Sequence, residues 1–298
     1  MKPILTAGLT PSWQHVLEFN SLTVNAVNRA SASIWFSAGK SINAALAIHT
    51  LGGSVRTLFP GSGSNARKMR DELERLGLET HLLPTHSDVR VCTTLIDAAT
   101  HTVTELVENG DSLTSSELSA WLNLFRYTAT EVSMTVISGS LPKNTPVELY
   151  ARMAECVPVG IPMIFDFRGE GLRKCLKFCP LIIKPNREEL EQTVGRKLPQ
   201  ESDILAACHE LNEQGAQWVI ISDGPNMLYA VSMTETLRIT PPTVIPAFGE
   251  TLCPIGCGDA LTGALALALS RNASMPDALS FALDAAARNL HQYTSCRF

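Results

Sequence analysis

Apolar and polar positions along most of this chain follow two alternating periods. Short apolar runs of strand length lead into stretches with an apolar residue every three or four positions. Pro3–Gly8 predicts a first strand, and Ile42–Leu51 a helix stopped by Gly52-Gly53. Val55–Phe59 predicts a strand. Ala66–Leu76 predicts a helix with Met69, Leu73 and Leu76 on one face and Gly77 as its stop. After the strand Val132–Ser138, a helix is expected with Thr145 as N-cap, Pro146 in its first turn and Glu148 closing a capping box. Pro162–Phe165, Leu181–Ile183 and Trp218–Ser222 are further short strands with helices between them. Helices at about Gly258–Ser270 and Pro276–Leu290 end the pattern. Alternation of this kind implies an α/β fold, with a mainly parallel sheet covered by helices on both faces.

One region departs from this rhythm. Val89–Ile96 and Thr102–Val107 alternate polar and apolar residues on either side of a short turn, as a hairpin does. With Ser12–Val24 and Ala30–Phe36 they predict a small strand-built flap, its strands drawn from about 12–36 and 88–107. The chain has no repeat, low-complexity tract or linker, so residues 1–298 read as one domain carrying a lid.

Composition narrows the function classes. The net charge is −5, which offers no basic field for nucleic acid or acidic lipid. No apolar run approaches the ~20 residues of a membrane span, and the first residues lack the apolar core of a leader, so a cytoplasmic location is expected. The eight cysteines include no C-x-x-C pair and read as free thiols in a reducing compartment, not as a zinc site or disulfide framework.

Three stretches have the glycines of a phosphate loop. Gly39-Lys40-Ser41 ends like a Walker A motif, but Ile34 stands where that motif needs its first glycine. Gly61-Ser62-Gly63-Ser64-Asn65-Ala66 fits G-x-G-x-x-A between a strand and a helix; its ribose-binding acid would be Glu79 or Asp88, and a plain tight turn is the alternative. Pro254-Ile255-Gly256-Cys257-Gly258-Asp259 leads into an unbroken small and apolar helix. Glycines there bare backbone N–H groups toward one point, and the helix dipole favours negative charge at that point. The N–H groups of Gly256, Cys257 and Gly258 would hold a phosphoryl group in transfer while Asp259 takes the proton of the attacking hydroxyl. A helix start with a helpful acid is the plainer alternative.

With these motifs in chain order, the sequence resembles the PfkB/ribokinase sugar kinases, and most closely their 1-phosphofructokinase and tagatose-6-phosphate kinase branch. Gly256-Cys257-Gly258-Asp259 is similar to the family's G-A-G-D, whose Asp is the catalytic base. Ala38-Gly39-Lys40-Ser41-Ile42-Asn43 resembles its sugar-binding G-G-K-G-x-N, which implies that Gly39 and Asn43 meet sugar hydroxyls and Lys40 a substrate phosphate. Arg90 in the flap matches an Arg expected to hold the acceptor's phosphate bidentately, and Ser138-Gly139-Ser140-Leu141-Pro142 matches S-G-S-L-P beside it. Lys184-Pro185-Asn186-Arg187-Glu188-Glu189-Leu190 resembles K-P-N-x-x-E-L, which implies that Lys184, Asn186 and Glu189 lie near the nucleotide phosphates. Magnesium would be held indirectly by Asn186 and Glu189 through water or phosphate. Ser222-Asp223-Gly224 is similar to the nucleotide-contacting turn, and Asn289 joins the nucleotide set by the same resemblance. Asn186 and Glu189 also fit a simple capping box.

The resemblance implies a ribokinase-like three-layer α/β/α fold with a lid, ATP and Mg²⁺ as cofactors, a sugar phosphate as acceptor, and a homodimer through the lid strands. The sequence departs from the pattern mainly on the acceptor side. Gln14 stands where the family's sugar-binding Asp is expected, with Trp13 beside it. Ala38, Ser41 and Ala66 replace glycines, and Met227 sits where the nucleotide turn has a small residue. An active kinase with a shifted acceptor is the leading reading. A non-catalytic sugar or nucleotide sensor on the same scaffold, and a dinucleotide enzyme built on Gly61–Ala66, are the alternatives.

Overall fold

The computed structural model describes residues 2–298. The chain begins β1 (Ile4–Ala7), β2 (Ser12–Phe19), β3 (Ala32–Ala38), α1 (Lys40–Thr50), β4 (Val55–Ser62), α2 (Gly63–Arg75) and β5 (Glu79–Asp88). It continues through β6 (Arg90–Asp97), β7 (Thr102–Val107), α3 (Ser115–Thr128), β8 (Met134–Ser138), α4 (Glu148–Cys156), β9 (Met163–Asp166) and α5 (Glu170–Cys175). Then come β10 (Ile182–Ile183), α6 (Arg187–Val194), α7 (Glu201–Glu213), β11 (Trp218–Ile221), β12 (Leu228–Val231), β13 (Thr236–Ile239), α8 (Cys257–Ser270) and α9 (Met275–Asn289).

Nine strands form the main sheet in the order β13-β12-β11-β10-β9-β8-β1-β4-β5. From β11 to β5 every pairing is parallel, and β12 and β13 are added antiparallel at one edge. One face is covered by α1, α2, α8 and α9 around Ile42, Leu46, Met69 and Leu265. The other is covered by α3, α4 and α7 around Trp121, Phe125, Met153 and Leu211. This is the three-layer α/β/α fold, and the apolar strand runs are the signature of a sheet buried on both faces. Helix α8 is apolar all round and buried along its length, as a helix wedged between the sheet and its neighbours must be.

The lid is a separate four-stranded sheet, β3-β2-β6-β7. The expected hairpin is β6–β7, with Cys92 opposite Val107 and Asp97 opposite Thr102. Strand β2 joins it in parallel, Ser12 opposite Arg90, and β3 closes the other edge. Alternation puts Ser12, Gln14, Thr94 and Glu105 on one face and Trp13, His15, Thr93 and Leu106 on the other.

Several local expectations need correction. Thr145 is not a helix cap: α4 starts at Glu148 after short turns at Pro142–Val147, and the buried Thr145 hydroxyl has no partner among the described residues. Leu76 lies beyond the end of α2 and is 39% exposed, so Ala66, Met69 and Leu73 form the buried face. Helix α2 begins at Gly63, and Asp88, at the end of β5, accepts hydrogen bonds from the N–H groups of Ser64, Asn65 and Ala66 at 3.0–3.3 Å. The chain's own carboxylate therefore satisfies the helix start that a dinucleotide would need. Glu79, the other candidate acid, is paired with Arg56 at 2.6 Å.

Candidate active site

Every parallel strand delivers its loop to the same edge of the main sheet, and ligands of open α/β sheets bind outside those carboxyl ends. The loops after β1, β8, β9, β10 and β11 line one cavity there, of about 1270 Å³, with the inner face of the lid on one side and the head of α8 beneath. The strand order reverses about β1, and α8 packs on β1 and β8 beside that reversal. Gln14, Gly39, Lys40, Asn43, Arg90, Lys184, Asn186, Glu189, Ser222, Gly224 and the loop 256–259 all line the cavity.

Helix α8 starts at a left-handed Gly256 with φ +84°. A Cβ there would lie 2.7 Å from Ser295 Cβ, so both the turn and the close approach require glycine. Gly258 is different: a Cβ there would meet only Lys184 Nζ, at 3.7 Å, so the chain itself leaves room for one and the space beside it belongs to the cavity. The first N–H groups of α8 have no carbonyl within the helix to bond and sit at its positive end. From behind, the buried Asn289 holds this turn. Its Nδ2 donates to Ile255 O at 2.9 Å and to Cys257 Sγ at 3.3 Å, and its Oδ1 accepts from Cys296 N at 2.6 Å. Asn289 thus braces the loop from behind and is not among the residues that line the cavity. Burial pushes the Cys257 thiol up to about 11, so at neutral pH it is a protonated wall and not a nucleophile.

Asp259 is buried at the cavity floor, and its Oδ2 accepts a hydrogen bond from Asn43 Nδ2 at 2.8 Å. Burial first, and then the neighbouring Asp166 carboxylate, push its pKa up to about 7; Lys40, Asn43 and Lys184 oppose the shift. Asn43 Oδ1 is buried with no partner among the described residues. Asp166, which sequence reasoning missed, is the hub of the floor. It lies 3.4 Å from Lys40 Nζ and 3.6 Å from Lys184 Nζ, and accepts from Thr262 Oγ1 at 2.9 Å. Burial alone would raise its pKa, but the two lysines hold it below the ordinary carboxylate range. The signal for it was an apolar run, Met163–Phe165, ending in an acid at the carboxyl end of a parallel strand.

Lys40 also reaches Glu189 Oε1 at 3.1 Å, and Arg168, another residue missed, meets the same oxygen at 3.2 Å. Lys40 therefore bridges Asp166 and Glu189, and their carboxylates hold its pKa above the usual ammonium value against its burial. Asn186 caps α6: its side chain accepts from Glu189 N at 2.8 Å, while Glu189 Oε2 accepts from Asn186 N at 3.1 Å. The plain capping box is thus present, and Glu189 still turns its other oxygen to the lysine. The Lys40 ammonium fills the point on which the Asp166 and Glu189 oxygens converge, and among the described residues no three His, Cys, Asp or Glu side chains gather as metal ligands.

Arg90 lines the acceptor end, where its guanidinium donates to the carbonyl oxygens of Glu108 at 2.7 Å, Thr10 at 3.1 Å and Pro11 at 3.4 Å. It ties lid to body. Ser138 is buried beneath the turn that presents Ser140 to the cavity. Gln14 donates through Nε2 to Thr94 Oγ1 at 2.8 Å. Trp13 points to the lid's outer face, stacked with Trp35 at 6.3 Å, and not toward a ligand. The far end of the cavity is apolar, lined by Pro241, Val244, Leu252, Leu283, Ala287 and Leu290.

Known proteins carry the same framework. The profile of the pfkB family carbohydrate kinases matches residues 15–297. The ATP-dependent 6-phosphofructokinase isozyme 2 of Mycobacterium tuberculosis is 28% identical over 274 residues, which is 91% of this chain and 79% of that protein. Phosphofructokinase-2 of Escherichia coli in complex with fructose-6-phosphate superposes with a TM-score of 0.86 at 26% identity, covering 100% of this chain and 97% of that one. An Arabidopsis thaliana ribokinase complexed with ribose and ATP shares the fold, with a TM-score of 0.73 at 17% identity over 99% of this chain and 94% of its own. Among the described residues, no helix is long and apolar enough to cross a membrane. With its profile match, its three-layer fold and an acid at the head of α8, the chain belongs to the pfkB family of carbohydrate kinases.

Proposed function

We propose that this kinase moves the γ-phosphoryl group of ATP onto a hydroxyl of a ketohexose phosphate, with Asp259 as the general base. The observation that carries the reading is a buried carboxylate of near-neutral pKa in the cavity, beside the N–H groups of Gly256 and Gly258 at the head of α8, where the Cys257 N–H is turned back onto Pro254 O at 3.2 Å. A base poised near neutrality is half ionised at working pH and still strong enough to take a proton. The apolar end fits an adenine ring, and Ser222 and Gly224 border it. The polar end fits a sugar, with Asn43 orienting the accepting hydroxyl against Asp259.

Arg90 and Ser140 face the phosphate that the acceptor already carries. Lys40, held by Asp166 and Glu189, is placed for the phosphoryl group in transit and not for the acceptor's own phosphate. Lys184 stands over Gly258 for the same group. Magnesium, when bound, neutralises nucleotide oxygens; Asp166, Glu189 and Asn186 are the residues that would hold it, through water or phosphate. The lid's outer face, with Trp35 44% and Leu106 52% exposed, is read as the contact surface of a homodimer.

The test is ADP formation by wild type and Asp259→Asn on fructose 6-phosphate, fructose 1-phosphate, tagatose 6-phosphate and the free sugars. Turnover by wild type on one of these, lost in the variant, supports the reading. Ligand-induced stabilisation with no turnover by wild type would favour a sensor on the same scaffold, for which the neutral Gln14 is the motive.

A further inference from the structure

The acceptor end of the cavity holds one carboxylate that the chemistry above does not use. Glu105 stands on β7, the outer strand of the lid, and its side chain lines the cavity. The register fixes its neighbours. Glu105 is opposite Thr94, and Thr94 is opposite Val16, two residues along β2 from Gln14. Gln14, Thr94 and Glu105 therefore share the inner face. Gln14 donates to the Thr94 hydroxyl, so one of its two amide N–H donors is already engaged within the lid. Glu105 has no hydrogen bond or ion pair with any of the described residues. The nearest cation, Arg90, gives its donors to the carbonyls of Glu108, Thr10 and Pro11. Glu105 is exposed toward the cavity, and the desolvation it meets there raises its carboxyl above its ordinary range, against the pull of Arg90.

A carboxylate that lines the cavity with no partner in the chain is free to accept a donor that arrives with the ligand. A phosphate would be repelled there, and a sugar hydroxyl would be welcome. The acceptor end is thus bipolar: Arg90 and Ser140 at one side, Glu105 at the other. We propose that Glu105 is a specificity-determining residue whose carboxylate accepts a hydrogen bond from a hydroxyl of the acceptor sugar. It would supply from β7 the charge that Gln14 lacks on β2. The inference rests on the kinase reading.

The experiment compares wild type, Glu105→Gln and the double variant Glu105→Gln/Gln14→Asp on the best acceptor of the panel. Glu105→Gln is expected to raise the acceptor KM about tenfold or more, the range of a hydrogen bond to a charged group. The KM for ATP and the Tm without ligand should not move, because Glu105 bonds nothing in the chain. The double variant should regain much of the acceptor affinity, a rescue that a structural role would not give. An unchanged KM in Glu105→Gln overturns the proposal. So does a lower one, which would make the carboxylate a repulsive element. If wild type turns over no acceptor, the kinase reading fails by itself. Glu105 is then judged by the Tm rise each sugar phosphate induces: lost in Glu105→Gln if the proposal holds, retained if it is wrong. No rise in wild type with any of them overturns both.

Discussion

Asp259 concentrates the chemistry of the site in one ionisation. With its pKa raised to about 7, chiefly by burial, the carboxylate is protonated in acid and becomes a base only as pH rises through neutrality. The acceptor kcat/KM should therefore climb with pH through about 7 and level off above it; a flat profile from pH 5 to 8 would contradict the assignment. Stability should show the opposite sign. The folded pKa lies above the unfolded value of 3.8, so between those values the folded state binds the extra proton, and this group's contribution is lost as pH rises. Asp259→Asn carries no such charge. Its Tm relative to wild type should rise as pH goes from about 4 to about 7 and hold steady above that. At this scale the motifs made Asp259, Asn43, Lys40 and Glu189 legible. Asp166 was not, because its partners Lys40, Lys184 and Thr262 are distant in sequence and meet only when β9, α1, β10 and α8 pack. The brace that Asn289 gives the loop was not legible for the same reason: sequence gives no sign of which side of a loop a buried amide supports.

Among the elements, the head of α8 shows two glycines with different duties. Gly256→Ala puts a Cβ on a left-handed residue and into Ser295, and should cost about 1–3 kcal/mol of stability, read as a lower Tm, together with activity. Gly258→Ala meets nothing in the chain closer than 3.7 Å, so its Tm should stay near wild type while kcat falls, because the methyl group occupies ligand space. Equal Tm losses in both variants would mean that the space over Gly258 is structural. Strands with continuous apolar runs and the β6–β7 hairpin were legible from periodicity alone. Strands β12 and β13 and the start of α4 were not. Strand β12 owes its place to edge pairing on β11 and β13 to pairing on β12, and α4 is preceded by turns that bury the Thr145 hydroxyl without giving it a helix to cap.

Seen as a whole, the molecule has an unmatched surface. The lid's outer face stacks the exposed Trp35 on half-buried Trp13 and His15, and β3 and β7 are the edges of the lid sheet. An exposed aromatic face rimmed by polar residues fits a second copy better than water. Light scattering should give twice the mass of the 298-residue chain, and Trp35→Glu should shift it toward monomer while leaving the body folded. A monomeric wild type would refute the dimer. The overall charge of −5 has little part in function: the anion chemistry rests on Lys40, Lys184, Arg90 and the start of α8, gathered from four distant stretches of sequence.

The central claim is that Asp259 takes the proton of the accepting hydroxyl. Its most direct test is kcat of Asp259→Asn on the acceptor that wild type turns over best, with ATP and acceptor both saturating. Asn retains the shape and the contact with Asn43 but removes the base, so kcat should fall by about 10²–10⁴-fold with the KM for ATP little changed. A variant within a few-fold of wild type would contradict the account.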